Sequence, residues 1–550
     1  MCGIVGFIKT EQSKEINIKQ MLSSIQHRGP DEQNYYEDQK VVLGHTRLSI
    51  VDIKDGHQPY EFKDLVIVFN GEIYNHKAIR QELKNNDYVF DTNSDTEVLL
   101  KAYHFYGNSF IDKLNGMYAF VIYDKIDKSF IISRDYFGIK PLYIYKHEKE
   151  FYFSSEVVAL TNMLKQNSID FTISIKAQKE YLQKGFICEN TIIENIYEVE
   201  RGKLFKYKNL NLEFLQNVNY SIDINKTLIE IIKEELVEEL DADVEVGVLL
   251  SGGIDSTMLT ALSSQIKKNL NTFSVAFEDK STYDESEYAQ IVAKKFNTNH
   301  HEFLFNEEIL LEYLPKLIES IDIPIYDPAM LPMLYLSENV SKSCKVVLSG
   351  DGGDELFAGY THHKVIKYRN ALKVISKLLD LFKILKNKNK ILKKLLLTPK
   401  TLEERVLYDQ NIGLNSQLLR KTDLCSMRYG VEVRVPFLSK KVYNYSVSKD
   451  INSFINFRYG KIPLRRIVAS LVSKELAYKK KQGFRVPIRE WVSKGILGKT
   501  IEYDLVHNLR INSLVLSNEQ LEEYLDNKLK YYKELFSLYL LNNWLKKVEI

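Results

Sequence analysis

The spacing of apolar residues changes about 200 residues into the chain. Before that point the apolar runs are short and are closed by turn residues, which predicts β-strands. The clearest of these runs are Leu65–Phe69, Met117–Tyr123 and Phe130–Ser133. A helical pattern lies between them over Asp95–Tyr106. The polar stretch Arg201–Ile224, rich in Asn and Lys, is predicted to be a linker.

Beyond the linker, the pattern alternates between strand and helix. Apolar strands are predicted over Val244–Leu250, Thr272–Phe277 and Lys345–Leu348. The first strand leads into a helix that begins at Asp255, and the second into a helix over Glu285–Phe296. Strands that alternate with helices form parallel sheets covered on both faces, so the fold class is α/β with a doubly wound sheet in this half. From about Thr361 onward the pattern is mostly helical.

Length and composition set bounds but do not indicate a function. A chain of 550 residues is long enough for two or three domains, and 45% hydrophobic with 27% charged residues is typical of a globular protein. The formal net charge of +2 gives no reason to expect a nucleic acid or a membrane surface as a partner. There is no apolar run of transmembrane length and no signal-peptide pattern, and the four cysteines are widely scattered. We therefore expect a cytoplasmic protein without a membrane span, a disulfide scaffold or a zinc site.

One segment departs from this even balance of charge. Residues 364–400 carry twelve Lys or Arg and a single acid, Asp380, interleaved with Leu and Ile. A basic amphipathic helix can bind a membrane or an anionic polymer. Such a pattern is more often the solvated face of a surface helix pair, and that is the interpretation we favour here.

A candidate nucleophile stands at the start of the chain, in Met1–Gly6. A small second residue favours removal of Met1, and Cys2 would then carry a free α-amine beside its thiol. An α-amine with a pKa of about 8 is partly unprotonated near neutral pH and can act as the base for that thiol. The alternative is that Cys2 is a small buried residue of a hydrophobic first strand, and a single Cys does not decide between the two.

Two glycine-rich loops are predicted at the carboxyl ends of parallel strands. The first, Ser251–Ser256, opens a helix, and the second, Ser349–Glu355, follows a strand in the same way. Glycines let the backbone approach an anion, and a helix N-terminus offers free N–H groups to a phosphate. Two such loops face one crevice of an open sheet, so we expect Asp255 and Asp354 to share a magnesium ion there. No Walker A sequence occurs in the chain.

Taken together, these features resemble the glutamine-dependent asparagine synthetases, a family with an N-terminal cysteine nucleophile. The first half contributes Met1–Ile4, His27–Asp31, Arg47–Asp52, Asn70–His76, Ser94–Glu97 and Arg134–Leu142. The second half contributes the two glycine loops, Tyr283–Ser286, Gly430–Leu438, Lys461–Arg465 and Lys480–Phe484. The resemblance covers nearly the whole chain. It implies an αββα glutaminase domain of the N-terminal-nucleophile type over residues 2–210 and an ATP-pyrophosphatase domain over residues 211–550.

For the first domain, the resemblance implies hydrolysis of glutamine. Cys2 would attack the side-chain amide, while the Asn70 amide and the Gly71 N–H form the oxyanion hole. Arg47 would pair with the α-carboxylate of glutamine, because a guanidinium binds a carboxylate through two hydrogen bonds. Glu72 would receive the α-ammonium of glutamine.

Asp95 would share that ammonium with Glu72, but it also has a structural interpretation. Ser94 and Glu97 have the spacing of a capping box, and an acid in a first helical turn is stabilising by itself. Both roles can hold, because a capped helix start is a rigid place for a ligand contact.

For the second domain, the resemblance implies adenylation of a carboxylate by ATP, release of pyrophosphate, and displacement of AMP by ammonia. The residues expected to bind ATP are Leu250, Ser251, Gly252, Gly253, Asp255, Ser256, Val275, Ser349 and Gly350. Asp255 and Asp354 would hold Mg²⁺, and Lys461 would neutralise charge at the α-phosphate. The alternative for Lys461 is a lysine at the surface of a helix terminus, where most lysines lie.

Three positions of the second half depart from the family pattern. Many asparagine synthetases have Glu where this chain has Asp351, a residue suited to taking a proton from the attacking ammonia. They often have Glu at Ile323 and Asp at Ser439. All three lie in the synthetase half, so they put the acceptor in question and leave ammonia production untouched.

The leading hypothesis is therefore conversion of aspartate to asparagine, with glutamine, aspartate and ATP as small-molecule substrates. An alternative keeps the chemistry but amidates another carboxylate, such as a uronic acid of a surface polysaccharide or a modified peptide. A third hypothesis, a non-catalytic binding module, is disfavoured because a binding protein does not need every catalytic group. The oligomeric state stays open, with a homodimer among the options.

Overall fold

The computed structural model describes residues 2–10, 16–188, 191–220, 225–278, 286–369, 401–479 and 486–549. Helices and strands are numbered within these ranges. Tyr283–Glu285 and Lys480–Phe484, which belong to two of the family motifs, lie outside the described residues, as do residues 370–400 of the basic segment.

Two antiparallel sheets of six strands each form the first domain. Their strands are β1 (Cys2–Ile8), β2 (Glu32–Glu37), β3 (Val41–Arg47), β4 (Tyr60–Phe62), β5 (Leu65–Ile73), β6 (Gly116–Asp124), β7 (Ser129–Arg134), β8 (Tyr143–His147), β9 (Glu150–Ser154), β10 (Ile196–Glu198), β11 (Lys203–Lys208) and β12 (Asn211–Asn217). The strand order is β10-β8-β9-β1-β3-β2 in one sheet and β12-β11-β7-β6-β5-β4 in the other. Alternate side chains of the two sheets meet in one apolar core that includes Ile4, Leu43, Val68, Val121 and Phe153.

Helices cover the outer face of each sheet. They are α1 (Ile18–Ser24), α2 (His76–Lys84), α3 (Asp95–Tyr106), α4 (Val157–Gln166) and α5 (Ile175–Lys184), with short 3₁₀ helices over Gln26–Arg28 and Gly107–Lys113. Met21 and Leu160 from α1 and α4 pack with Val5 of the first sheet. Leu99 of α3 packs with Phe120 of the second sheet. The order helix, sheet, sheet, helix confirms the predicted αββα fold.

The prediction of a linker over Arg201–Ile224 is wrong for most of the described part of this stretch. Strands β11 and β12 form a hairpin within Arg201–Ile224, and β11 pairs with β7. The prediction failed because lysines alternate with buried residues such as Leu204 and Tyr207 in β11. A strand with only one buried face can therefore have the overall composition of a polar loop. The hairpin also spans residue 210, where the predicted domain boundary falls.

A five-stranded parallel sheet forms the centre of the second domain. Its strands are β13 (Val246–Leu249), β14 (Asn271–Phe277), β15 (Asn299–Phe305), β16 (Val346–Leu348) and β17 (Glu432–Arg434), in the order β15-β14-β13-β16-β17. The chain leaves β13 toward β14 on one side and reaches β16 on the other. The carboxyl ends of β13 and β16 therefore border a crevice, as expected for a doubly wound sheet.

Helices make up most of the rest of the second domain. They are α6 (Leu228–Glu239), α7 (Ile254–Ile266), α8 (Ser286–Phe296), α9 (Glu307–Ser320), α10 (Met330–Val340), α11 (Gly353–Leu356), α12 (Thr361–Lys367), α13 (Leu402–Tyr408), α14 (Arg420–Met427), α15 (Lys440–Val447), α16 (Ile462–Leu471), α17 (Lys474–Ala477), α18 (Ile488–Lys494), α19 (Ile496–His507), α20 (Asn518–Asp526) and α21 (Lys528–Glu549), with a π-helix over Asp409–Leu419 and 3₁₀ helices over Pro436–Leu438 and Ile451–Phe454. Over the described residues beyond Thr361, the helical prediction is confirmed except at β17. None of the described helices is long and apolar enough to cross a membrane.

Buried polar contacts join the two domains. The carboxylate of Asp322 in the second domain accepts hydrogen bonds from Val157 N and Val158 N, both at 2.8 Å, and so caps the first turn of α4. Arg28 of the first domain donates to Asp423 Oδ2 at 2.8 Å. The domains are therefore held in register by directional bonds as well as by shared apolar surface.

Candidate active sites

The Cys2 thiol lies at the end of β1, in the middle of the first sheet. Cys2 pairs with Arg47 on β3 and is only 6% exposed. Its backbone nitrogen donates to Asn70 Oδ1 at 3.0 Å. Burial raises the pKa of the thiol above its usual value, while the amino terminus and Arg47 pull it down. A positive group beside the sulfur is therefore needed to form the thiolate in this setting.

The strand that faces Cys2 offers a buried donor to a reacting carbonyl. Asn70 Nδ2 is fully buried and has no hydrogen-bond acceptor among the described residues, an arrangement that an incoming oxygen would satisfy. Next to it, Gly71 has a φ of 154°, and a Cβ at this position would lie 2.1 Å from Met117 O on β6. A glycine is thus required where β5 passes closest to β6.

Arg47 is held rigidly at the edge of this site. Its guanidinium donates to Val51 O at 3.3 Å, Asp52 O at 2.5 Å and Ile53 O at 3.2 Å, and Glu32 Oε2 lies 3.5 Å away. A guanidinium fixed in this way is a pre-oriented partner for a carboxylate.

Glu72 and Asp95 form a buried pair of acids on the other side of Asn70. Asp95 Oδ2 accepts from Ile73 N at 2.9 Å. Burial raises the pKa of both carboxyls, and for Glu72 the charge of Asp95 raises it further, well above its usual range. Two buried acids without enough nearby cations suit a ligand that brings an ammonium group. The predicted capping box does not form: Ser94 Oγ caps the helix by accepting from Thr96 N, while the Glu97 carboxylate accepts from Asp91 N and Thr92 N.

Two residues of the second domain reach into this region, and the sequence analysis assigned them no role. Arg434 Nη2 lies 3.7 Å from Glu72 Oε2, and Arg434 Nε donates to Glu432 Oε1 at 2.6 Å. Burial alone would raise the pKa of Glu432, but the amino terminus and Arg434 lower it to about 2. Both residues belong to β17, whose alternation of charged and apolar residues inside a helical region was the available signal.

His45 is a further neighbour that the sequence analysis missed. Its Nε2 lies 3.2 Å from Phe69 O, the carbonyl that precedes Asn70. Burial lowers the pKa of His45 to about 3, so the ring is neutral at physiological pH and donates to that carbonyl. His45 thereby fixes the strand that carries Asn70.

A second candidate site is the cleft at the crevice between β13 and β16. It has a volume of about 470 Å³. Among the predicted residues, those that line it are Leu250, Ser251, Gly253, Asp255, Ser256, Val275, Ser349, Gly350, Asp351, Asp354 and Lys461. Gly252 does not line the cleft, and its φ of 74° lets the loop turn into α7. A cleft of this size can hold a nucleotide.

The two glycine loops touch each other inside the cleft. A Cβ on Gly350 would lie 2.8 Å from Asp255 Cβ, so the second loop can approach the start of α7 only as glycine. Ser251 Oγ and Ser256 Oγ are 3.2 Å apart across the first loop. Hydroxyls, backbone N–H groups and the N-terminus of α7 thus converge on one region suited to phosphate.

Lys461 is not a surface lysine. It is 4% exposed, and its Nζ lies 2.5 Å from Asp255 Oδ2 and 2.8 Å from Asp354 Oδ1. Burial would lower its pKa, but the two carboxylates raise it, so the ammonium stays charged. Its φ of 55° is strained for a residue with a side chain, which is a feature of functional positions. Two carboxylates that converge on the phosphate loops also fit Mg²⁺, which prefers oxygen ligands.

Only one of the three family departures lies in the cleft. Asp351 lines it and accepts from Thr422 Oγ1 at 3.0 Å. Ile323 is fully buried among apolar side chains. Ser439 caps α15 by accepting from Val442 N at 3.3 Å. Two departures therefore have structural explanations away from the nucleotide.

A third cluster, outside both sites, joins His362, His363 and Asp409. Asp409 Oδ2 lies 2.6 Å from His362 Nε2 and 2.8 Å from His363 Nε2, and Arg405 pairs with the same carboxylate. Tyr360 N donates to His363 Nδ1, so the proton of this ring sits on Nε2. The cluster is a closed hydrogen-bond network, in which neither the protonated Nε2 nor the arginine-bound carboxylate suits a metal ion.

Comparisons with known proteins agree with this division into two sites. A family model described as a glutamine amidotransferase domain matches residues 1–218, and one described as asparagine synthase matches residues 228–546. A glutamine-hydrolysing asparagine synthetase 1 of Bacillus subtilis is 31% identical, over 90% of this chain and 88% of its own. Glutamine-hydrolysing asparagine synthetases of Zea mays and Arabidopsis thaliana are each 31% identical over 82% of this chain, and 70% and 71% of their own. The chain therefore belongs to the asparagine synthase family and carries a glutamine amidotransferase domain in its N-terminal part.

Proposed function

We propose that the protein is a glutamine-dependent asparagine synthetase. It would hydrolyse glutamine in the first domain, adenylate aspartate with ATP in the second, and transfer the ammonia to give asparagine, AMP and pyrophosphate. One observation carries this proposal. The same chain of this family contains a buried thiol site and a nucleotide cleft, and each of them has the reactive side chains expected for its step.

In the first step, after removal of Met1, the α-amine of Cys2 takes the thiol proton and the thiolate attacks the side-chain amide carbon of glutamine. The tetrahedral oxygen accepts hydrogen bonds from Asn70 Nδ2 and Gly71 N. Collapse of this intermediate expels ammonia and leaves a thioester, which water hydrolyses to glutamate. Arg47 would hold the α-carboxylate of the substrate, and Glu72 with Asp95 its α-ammonium.

In the second step, the β-carboxylate of aspartate attacks the α-phosphorus of ATP, and the bond to pyrophosphate breaks. Ser251, Ser256 and the loop N–H groups would bind the leaving pyrophosphate, and Lys461 the charge at the α-phosphate. Ammonia then attacks the acyl carbon, gives up a proton to Asp351, and AMP leaves.

We assign Mg²⁺ to Asp255 and Asp354, where its charge would offset that of the phosphates.

We also propose that the domain boundary lies after β12 rather than after residue 210. A boundary at residue 210 would separate β11 from its partner strand β12. The scattered cysteines are the reason to propose a cytoplasmic location.

The test is aspartate-dependent release of pyrophosphate from ATP by the purified enzyme, with asparagine and AMP identified by mass. We expect one asparagine for each AMP, and ammonium salts to replace glutamine. Formation of ADP and phosphate would contradict the adenylation step. If aspartate gave no product while a uronic-acid nucleotide sugar did, the alternative acceptor would replace this proposal.

A further inference from the structure

An ion pair at the Asp351 end of the cleft has no role in the reaction described so far. Lys421 Nζ lies 3.3 Å from Asp327 Oδ2, and both residues line the cleft. Their side chains are 14% and 19% exposed, so they are largely removed from water but still open to a ligand. A charge pair in such a place loses hydration that its mutual attraction alone does not restore. A ligand with complementary charges would satisfy both groups.

The pair is fixed next to the reacting groups. Lys421 lies on α14 immediately before Thr422, whose hydroxyl donates to Asp351 Oδ2 at 3.0 Å. Asp327 Oδ1 accepts from Ala329 N at 3.0 Å just before α10, so its second oxygen faces Lys421. Burial would lower the pKa of Lys421, but Asp327 and Asp351 raise it, and the ammonium is charged.

Two other cations that line the cleft have partners of their own. Lys461 lies between Asp255 and Asp354. Arg465 donates to Gly460 O at 2.8 Å and to Ala477 O at 2.6 Å. Lys421 and Asp327 are thus a cation and an anion near the site of adenylation that are bound to each other.

Aspartate brings a matching pair of charges. Its β-carboxylate reacts, while its α-carboxylate and α-ammonium must be held in place by groups that do not react. A site with one fixed cation and one fixed anion, about 3 Å apart, can exchange their mutual contact for contacts to these two groups. A uronic acid has no ammonium group and would leave the anion without a partner.

We propose that Lys421 binds the α-carboxylate of the acceptor aspartate and that Asp327 binds its α-ammonium. This inference rests on the proposed function, and it names the residues that select the acceptor. Because a site with buried charges discriminates strongly against ligands that leave them unpaired, the pair sets the preference for aspartate.

The experiment measures pyrophosphate release with three acceptors. β-Alanine is aspartate without its α-carboxylate, and succinate is aspartate without its α-ammonium. We expect Lys421→Met to raise the KM for aspartate roughly tenfold or more. The ratio of kcat/KM for aspartate to that for β-alanine should fall, while the ratio for aspartate to succinate should not. Asp327→Asn should narrow the preference over succinate and leave that over β-alanine nearly unchanged.

Controls separate a lost contact from a lost fold. Lys499→Met removes an exposed lysine on α19 and should leave every acceptor constant unchanged. Lys421→Arg keeps the charge and should keep most of the preference over β-alanine. In all variants the glutaminase activity and the thermal unfolding midpoint should stay near those of the wild type.

Three outcomes would count against these proposals, and they have different meanings. No aspartate-dependent pyrophosphate from the wild type would overturn the proposed function itself. A wild type active on aspartate, together with a Lys421→Met variant of unchanged aspartate KM, would overturn only the assignment of the pair. Equal narrowing in Lys421→Arg and Lys421→Met would overturn it as well, because charge would then not be the property that matters.

Discussion

At the scale of single residues, Arg434 is held on several sides at the domain interface. Its Nη1 donates to Glu239 O at 2.7 Å and its Nε to Glu432, while Nη2 lies near Glu72. Its own carbonyl accepts from Ser349 N at 2.8 Å, the first residue of the second glycine loop. One residue thus reaches Glu72 of the candidate glutamine site with its side chain and Ser349 of the second glycine loop with its backbone.

We expect Arg434→Gln to weaken glutamine binding through Glu72. Arg434 lowers the pKa of Glu72, so its removal raises that pKa further and leaves more of the carboxyl neutral at pH 7. A neutral carboxyl binds the α-ammonium poorly, and the KM for glutamine should rise about tenfold, with partial recovery at higher pH as Glu72 ionises.

The measurement is glutaminase KM and kcat between pH 6.5 and 9, with Arg434→Lys as the charge-preserving control. Synthesis from ammonium should change less than synthesis from glutamine. An unchanged KM for glutamine across this range would contradict the assignment of Glu72 as the ammonium ligand.

At the scale of elements, the sequence predicted those whose pattern is local. Strands β13 and β16 are apolar runs, and each is followed by a loop that contains glycine and an acid. The carboxyl ends of parallel strands lie at the same edge of a sheet, so the sequence predicted that the two loops lie together. Strand β17 was missed because an alternation of charged and apolar residues over only three positions is too short to predict a strand. The hairpin β11–β12 was missed because its outward face is rich in lysine.

The same limit applies to the sites. Cys2, Asn70 and the two glycine loops occur in short, contiguous motifs, so the sequence alone was enough to propose them as site residues. Lys421 and Asp327 are 94 residues apart in the numbering and meet only in the folded chain. Pairing of this kind depends on tertiary packing, which no local pattern encodes.

A helix cap that crosses the domain interface gives a prediction at this scale. Asp322→Ala should remove both hydrogen bonds to the first turn of α4 and destabilise the protein by about 1–2 kcal/mol. Hydrogen exchange at Val157 and Val158 should accelerate most. Ser439→Ala, which removes a cap within the second domain, is the matched control and should affect Val442 instead. Equal exchange at Val157 in both variants would show that Asp322 does not cap α4.

At the scale of the whole molecule, the two candidate sites are separate but share an interface. Arg28 Nε donates to Cys2 O at 3.2 Å, and its Nη2 reaches Asp423, the residue after Thr422. A small cavity of about 30 Å³, lined by Arg28, Glu156 and Asp423 among others, lies between the domains. Buried polar side chains thus lie between the Cys2 site of the first domain and the Thr422 side of the cleft in the second.

Because the two chemistries use different residues, Cys2→Ala should abolish asparagine formation from glutamine. Synthesis from ammonium should stay within about twofold of the wild type, since alanine is close to cysteine in size and leaves the fold intact. Cys188→Ala, which removes a half-buried thiol away from both sites, is the control and should leave both activities unchanged. Equal loss of both activities in Cys2→Ala, or intact-mass data showing retained Met1, would contradict the scheme.

The position of β17 also limits how such a protein can evolve. A gene fusion that joined this amidotransferase domain to a different synthetase would keep Cys2, Asn70 and Arg47 but would replace the strand that brings Arg434 to Glu72. The fusion protein would keep the Cys2 nucleophile, but the surroundings of Glu72 in the candidate glutamine site would be altered. Substitutions at Glu72 and Arg434 should therefore appear together across lineages, and shuffling of the two halves should succeed only between parents that agree at these positions.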